Sequence, residues 1–203
     1  MEEFTYQNDN VYASSDTYLE VRDGAAMISL YPIGNSTVVV TGGLISHDLS
    51  PRDNSTVVFS GGSVGAILQG LGNSTIEFSG GTISQSLVAK GNSTVSISGG
   101  SIGGSGLYAW DSGMIYLYGS NFSVGNEDLA FGDSLRDYAT LQGSYLTGTI
   151  TGTLQDGSLM NNTFRIREAD YANITIVPAP GAFLLGSIGL SLAGWKLRRR
   201  EES

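Results

Sequence analysis

A repeat of nineteen residues constrains this chain more than any other feature of its sequence. The triplet Asn-Ser-Thr begins at Asn35, Asn54, Asn73 and Asn92. One further step in each direction reaches Asp16 and Asp111, so the repeat extends over about six coils. A single coil of this size cannot bury its own apolar residues, and repeats of this kind therefore fold by stacking on one another.

Each repeat has the pattern of a β-strand followed by a tight turn. The positions of one parity are apolar: Val38 and Val40, Val57 and Phe59, Ile76 and Phe78, and Val95 and Ile97. A glycine pair follows seven residues after each asparagine, from Gly42-Gly43 to Gly99-Gly100, and suits a corner whose backbone needs φ above zero. The sequence predicts an all-β fold, a parallel β-solenoid of about six 19-residue coils spaced about 4.8 Å apart.

The first residue of each triplet is expected at one corner of the solenoid. There the side chains of successive coils would stack as a ladder, whose predicted members are Asn35, Asn54, Asn73, Asn92 and Asp111. The alternative fold is an antiparallel sandwich, which also has frequent turns. The constant repeat length favours the solenoid, because sandwich loops rarely keep one length through four copies.

The period divides the chain into four predicted regions. Residues 1–15 form an N-terminal cap or a truncated remnant, and residues 16–120 form the solenoid. Residues 121–176 form an irregular β continuation or capping region, in which the acidic stretch near Glu127 interrupts the rod. Residues 177–203 form a separate C-terminal segment, whose composition differs sharply from that of the repeats.

Charge and composition exclude several classes of function. The net charge is −9, from 19 acidic and 10 basic residues, and the basic residues form no stripe in the sequence that could neutralise phosphates. We therefore expect no nucleic-acid partner. The chain has no cysteine and a single histidine, His47, which excludes thiolate chemistry and imidazole-rich metal sites. We expect no cofactor and no metal site.

An enzyme is the main functional alternative, because parallel β-helices include polysaccharide lyases and glycosidases. Such sites need paired carboxylates with a basic residue or calcium. The two candidate sets are His47, Asp48, Arg52 and Asp53, and Glu127, Asp128, Asp133 and Asp137. Neither set recurs in register across the coils, and solvated corners or loops explain both. We therefore expect no catalytic residues, with calcium binding at the second set as an alternative.

The C-terminal segment has a composition typical of a membrane anchor. It begins with Val177, Pro178, Ala179 and Pro180, continues with an uncharged run over residues 181–195, and ends with Lys196, Arg198, Arg199 and Arg200. An apolar helix of about this length nearly spans a bilayer, and the basic cluster favours the cytoplasmic side. We predict a single transmembrane helix here. The alternative is a helix that packs on the end of the solenoid.

The segment from Val177 to Arg200 resembles a PEP-CTERM sorting domain. Pro178 and Pro180 match the prolines of the motif, and Ala179 stands where the family usually has glutamate. The resemblance implies export to the cell envelope or beyond, recognition by an exosortase-type processing enzyme, transient membrane anchoring, and association with extracellular polysaccharide. It implies a structural or adhesive surface protein.

The start of the chain differs from that family, whose members begin with a secretory signal peptide. Residues 1–5 are acidic in character and are not followed by an apolar segment of the kind that directs secretion. We therefore expect a misassigned start or a truncated gene, with an in-frame signal peptide encoded upstream.

Overall fold

The computed structural model describes residues 9–178, which form an all-β rod. A 3-10 helix, Leu135–Tyr138, is the one helix within those residues. The strands are β1 (Asn10–Ala13), β2 (Tyr18–Val21), β3 (Ala26–Met27), β4 (Ser29–Pro32), β5 (Thr37–Ile45), β6 (Thr56–Val64), β7 (Ile67–Gly70), β8 (Thr75–Phe78), β9 (Thr82–Ile83), β10 (Ser86–Ala89), β11 (Thr94–Ile97), β12 (Ser101–Ile102), β13 (Gly106–Ala109), β14 (Met114–Val124), β15 (Glu127–Asp128), β16 (Thr140–Gln142), β17 (Tyr145–Leu154), β18 (Leu159–Arg167) and β19 (Asn173–Val177).

The rod is a parallel β-solenoid of about six turns, as the repeat predicted, and it has three sides. The first side stacks β2, β5, β6, β8, β11, β14 and β19. The second side stacks β3, the ends of β5 and β6, β9 and β12. The third side stacks β1, β4, β7, β10, β13 and the end of β18, with Leu49 bridging β4 to β7.

One continuous apolar core fills the rod. The side chains predicted to point inward on the first side are buried, and the ring centroids of Phe59 and Phe78 in neighbouring coils lie 5.6 Å apart, with the rings tilted by 36°. The third side adds a leucine column that the repeat pattern did not identify: Leu30, Leu49, Leu68, Leu87 and Leu107. Burial of this alternating set holds each strand in register, because a slip of one residue would turn the apolar side chains outward.

The glycine pairs lie at the corner between the first and second sides. The second glycine of each pair has positive φ, for example +84° at Gly62 and +83° at Gly81, as predicted. The first glycine serves close packing, because a Cβ at Gly61 would collide with the carbonyl oxygen of Thr41 in the preceding coil. The second position therefore requires glycine because of its backbone angle, and the first position requires it because neighbouring coils approach closely.

The solenoid begins earlier than predicted. β1 pairs in parallel with β4, with Asn10 opposite Ser29 and Ala13 opposite Pro32. Residues 10–13 therefore belong to the third side of the rod and are not a separate cap. The prediction missed them because this side carries no Asn-Ser-Thr triplet or glycine pair that would mark the repeat.

The predicted irregular region contains two different structures. Residues 119–158, which we call the insertion, leave the rod within β14 and form an antiparallel sheet in which β17 pairs with β14, β16 and β18. β18 and β19 then resume the parallel stacking, with Leu107 opposite Phe164 and Ile115 opposite Ile174. The last coil is thus regular in register although its sequence lacks the repeat motif.

The insertion closes the C-terminal end of the first side. The amide of Gly132 donates to the carbonyl of Ile176 at 2.8 Å, and the amide of Ile176 donates to the carbonyl of Asp133 at 3.0 Å. Leu135 is fully buried below this contact. Free strand edges invite pairing with other chains, so this contact protects β19 from edge-to-edge association.

Candidate functional site

The asparagine corner, between the third and first sides, carries a ladder of side-chain hydrogen bonds. Each Nδ2 donates to the Oδ1 one coil earlier: Asn35 to Asp16 at 3.3 Å, Asn54 to Asn35 at 3.3 Å, Asn73 to Asn54 at 3.2 Å, and Asn92 to Asn73 at 3.1 Å. The ladder links five coils along an exposed corner. Its regular geometry supports a role in the stability of the rod.

Asp111 lies outside this ladder, which corrects the prediction. The coil that contains it has one extra residue between Ile102 and Gly106, so the register steps by twenty residues and not by nineteen. Asp111 is consequently level with Gly91, whose amide donates to its Oδ2 at 3.3 Å. The repeat motif alone could not reveal this shift, because the degenerate triplet after Trp110 still fits a step of nineteen.

A column of buried serines lies directly beneath the ladder. These are the middle residues of the triplets, Ser36, Ser55, Ser74 and Ser93, and none is more than 1% exposed. The Oγ of Ser93 donates to the carbonyl of Gly70 at 3.1 Å and accepts from the amide of Lys90 at 2.9 Å. The recurring serine was visible in the sequence, but its inward direction at a corner was not.

The first candidate catalytic set does not form a cluster. His47 and Arg52 lie near opposite ends of the third side, five residues apart along extended chain, which corresponds to about 16 Å. The carboxylate of Asp48 accepts from the amide of Ile67 at 3.2 Å, and that of Asp53 accepts from the amide of Gly34 at 3.1 Å. Both carboxylates thus bind backbone amides of adjacent coils.

The second candidate set lies in the insertion and is also dispersed. Glu127 and Asp128 form the exposed strand β15, and Asp137 lies in the 3-10 helix. Asp133 accepts from the amide of Ala130 and from the Tyr138 hydroxyl, both at 2.8 Å, and these two bonds lower the pKa of its carboxyl. Residues 9–178 contain no group of three or more acidic or histidine side chains placed to hold a metal ion.

Asp156 joins the insertion to the rod. Its Oδ2 accepts from the amide of Gly100 at 2.9 Å, and its Oδ1 accepts from the amide of Ser158 at 2.8 Å and from the Ser158 hydroxyl. Desolvation works to raise the pKa of this carboxyl, but the hydrogen bonds outweigh it, and the pKa is lowered. The carboxylate therefore has a structural role at the glycine corner.

The structure reveals a row of side chains that the sequence pattern did not predict. It runs along the end of the third side, one residue per coil, and alternates apolar with basic groups: Ile33, Arg52, Leu71, Lys90, Trp110 and Arg167. We call it the basic–apolar row. Arg52 and Arg167 are exposed, and Lys90 and Trp110 are partly exposed. Ile33, Arg52, Leu71 and Lys90 keep the nineteen-residue spacing, but an extra residue and the insertion displace Trp110 and Arg167 from it.

Aromatic rings accompany the cations of this side. Arg52 lies over the ring of Tyr31 at 5.7 Å, and Lys90 lies over the ring of Trp110 at 5.8 Å. Arg165, next to the row on β18, lies over the ring of Tyr108 at 6.0 Å. Contacts at these distances contribute about 0.5–1 kcal/mol at exposed sites and hold the cationic groups against the sheet.

The predicted sorting segment lies mostly beyond the described residues. Val177 ends β19 opposite Tyr118, and Pro178 follows it directly. Ala179, Pro180, Lys196, Arg198, Arg199 and Arg200 lie outside the described residues, as does the predicted transmembrane helix. Within residues 9–178, no helix has the length and apolar character needed to cross a membrane.

Comparisons with known proteins identify no relative of this chain. No family model, no curated protein and no solved structure matches it.

Proposed function

We propose that this chain is a non-catalytic exported surface or extracellular-matrix protein. Its solenoid is a rigid structural or adhesive rod associated with extracellular polysaccharide, and its C-terminal segment is a PEP-CTERM-like sorting signal for an exosortase. The observation that carries this proposal is the junction at Val177, where the last strand ends and the proline motif, uncharged run and basic cluster follow immediately. The rod therefore leads straight into the anchor.

The state of the candidate catalytic carboxylates supports a non-catalytic role. Of these candidates, Asp48, Asp53 and Asp133 accept hydrogen bonds from backbone amides, and the bonds of Asp48 and Asp53 join one coil to the next. General acid–base catalysis needs a carboxyl group directed at substrate beside a second such group. Carboxylates held by the backbone contribute instead to the regularity of a display rod.

The tail composition supports transient membrane anchoring. An uncharged run over residues 181–195 is slightly short for a bilayer, and the long side chains of Lys196 and Arg198 can extend to the headgroups. The basic cluster holds the C-terminus on the cytoplasmic side. Before processing, the rod would then lie on the outer side of the membrane with Pro178 at its surface.

The test is expression of the full chain, fused to a cleavable secretory signal peptide, in a bacterium that has an exosortase and in its exosortase-deleted derivative. An epitope tag after Ser203 reports cleavage of the tail. We expect tag loss and release of the rod in the first strain, and full-length protein in the membrane fraction of the second. The double variant P178A/P180A should remain uncleaved in both strains.

The matched control is Pro51→Ala, which removes a proline from the rod and should leave processing unchanged. Identical processing of P178A/P180A and the parent chain would contradict recognition of the proline motif. Recovery of the secreted fusion as a soluble protein with its tag intact would contradict anchoring. Depolymerisation of a polyuronate by the purified chain would contradict the non-catalytic assignment.

A further inference from the structure

The basic–apolar row has a regular spacing that the coils impose. Arg52, Lys90 and Arg167 occupy alternate rungs, with Leu71 and Trp110 between them. Adjacent coils are about 4.8 Å apart, so the cations repeat at about 10 Å along a straight line. The row therefore presents one positive charge for every two coils, and a partly exposed apolar surface in each interval.

The cations of this row have no ion-pair partner within residues 9–178. Acidic residues lie close by at the corner, but their carboxylates are directed at the backbone. Asp53 accepts from the amide of Gly34, Asp111 from the amide of Gly91, and Asp170 from the amide of Asp111 at 2.6 Å. No carboxylate within the described residues forms an ion pair with these cations, so they can pair with an external anion.

We propose that the basic–apolar row binds a linear acidic polysaccharide, along the rod axis, whose carboxylates are carried by every second sugar. The spacing of its cations is comparable with the length of two sugars in an extended chain. The guanidinium groups of Arg52 and Arg167 pair with uronate carboxylates, and Arg suits this because its planar fork matches a carboxylate. The Trp110 and Leu71 side chains contact the apolar faces of the sugars in between.

Charge density favours a polysaccharide over a polynucleotide. Duplex DNA carries one charge for about every 1.7 Å of its axis, which is far denser than one cation per about 10 Å. The net charge of −9 would repel so dense a polyanion. A polymer with widely spaced carboxylates can pair with the same cations and is repelled less by the acidic chain than a polynucleotide is.

This inference rests on the proposed function for the polysaccharide setting, but its test does not involve the tail. Binding of the purified full chain to hyaluronate, a polymer with a carboxylate on every second sugar, is measured by affinity electrophoresis at low and high salt. The test variant is R52Q/K90Q/R167Q. The control is Arg22→Gln, which removes a cation at the glycine corner, far from the row. Circular dichroism and thermal unfolding verify that each variant is folded.

We expect hyaluronate to retard the parent chain and R22Q, and salt to weaken this binding. The triple variant should bind about tenfold more weakly, since three exposed ion pairs contribute about 1–2 kcal/mol together. Equal retardation by neutral dextran, an unchanged affinity of the triple variant, or tighter binding to single-stranded DNA of equal length would each overturn the proposal. If the parent chain does not bind hyaluronate but its tail is processed normally, the binding proposal is wrong and the sorting proposal is unaffected. If it binds hyaluronate but its tail is not processed, only the sorting proposal is wrong.

Discussion

The repeated coils and the insertion stabilise one rod by opposite means. In the coils, each strand pairs in parallel with the equivalent strand one turn earlier. Equivalent residues therefore stack on one another, and each coil stabilises its neighbours. In the insertion, β17 pairs antiparallel with the end of β14 and with β18, and Phe122, Leu135 and Ile150 lie in the core. The repeat therefore lengthens the rod, whereas a non-repeating segment closes its end.

The two regions also use polar groups differently. In the coils, the asparagine ladder and the serine column repeat one bond many times. In the insertion, single residues make several bonds each, as Arg136 does with the carbonyls of Glu168 at 2.8 Å, Asp170 at 3.2 Å and Ala172 at 2.9 Å. A substitution in the coils should therefore affect the whole rod, and one in the insertion should act locally.

The largest effect is expected from a core substitution in the coils. Phe78 is fully buried, so Phe78→Ala should lower the free energy of unfolding by about 3–5 kcal/mol, measured by urea denaturation. The control is Phe131→Ala in the insertion, where the side chain is 58% exposed and the change should stay within about 0.5 kcal/mol. Equal losses in the two variants would show that the distinction between the regions is wrong.

A glycine substitution separates packing from backbone strain. Gly81 has φ of +83°, and a Cβ there would lie 2.7 Å from the carbonyl oxygen of Gly62. Gly81→Ala should therefore lower the free energy of unfolding by about 3 kcal/mol, from strain and overpacking together. Gly157 in the insertion has φ of +89° with open space around it, so Gly157→Ala should lower it by only about 1 kcal/mol. Similar values would mean that coil spacing does not restrict the glycine corner.

Removal of the Arg136 guanidinium should loosen the end of the rod without unfolding it. Arg136→Met leaves the carbonyls of the last corner without their charged donor, and local opening should become easier by about 2 kcal/mol. Hydrogen exchange of the Ala172 and Ile176 amides measures this opening. Arg165→Met, which removes a cation that donates no hydrogen bond to the backbone, is the control. Uniformly faster exchange along the coils would argue against a local cap.

One rung of the asparagine ladder should contribute modestly. Asn73→Ala removes the bonds to Asn54 and Asn92, and because the corner is exposed the free energy of unfolding should fall by about 1 kcal/mol. Asn126→Ala in the insertion, whose side chain makes no hydrogen bond within the described residues, should change it by less. Thermal unfolding compares the two. An unchanged free energy of unfolding in Asn73→Ala would show that the ladder does not stabilise the rod.

Acid should affect the insertion before the coils. The pKa values of Asp133 and Asp156 are lowered in the folded chain, so their contribution is present above the ordinary aspartate pKa and is lost as the pH falls through the folded values. Hydrogen exchange in the insertion, relative to the coils, should therefore be faster at about pH 3 than at about pH 5, after correction for intrinsic rates. The variant D133N/D156N should lose this dependence and D128N should keep it. A pH response confined to the coils would contradict the assignment.

The sequence predicted the parts of the fold that repeat with a simple period. Val57 and Phe59 alternate with polar residues, and this local alternation is enough to fix their inward direction. The third side escaped prediction because Leu30, Leu49 and Leu68 recur without a flanking motif. The last coil escaped it because the whole insertion separates β14 from β18 along the chain.

Some of the candidate sites could likewise be predicted from the repeat, and others could not. The asparagine ladder followed from the triplets alone, except at Asp111, where one extra residue in the coil changed the register. The basic–apolar row could not be predicted, because Trp110 and Arg167 are neighbours only after the chain has left the rod and returned. The sorting segment stays a prediction from sequence.

The repeat alone was enough to predict that this chain stacks coils, where the asparagine and glycine corners lie and which residues of the first side face the core, because period and burial are local properties of a repeating strand. The antiparallel pairing that ends the rod and the alignment of basic residues along its third side became visible in the tertiary structure alone. Those features depend on the register between segments far apart in the chain, which an added residue or an insertion changes without altering any local pattern.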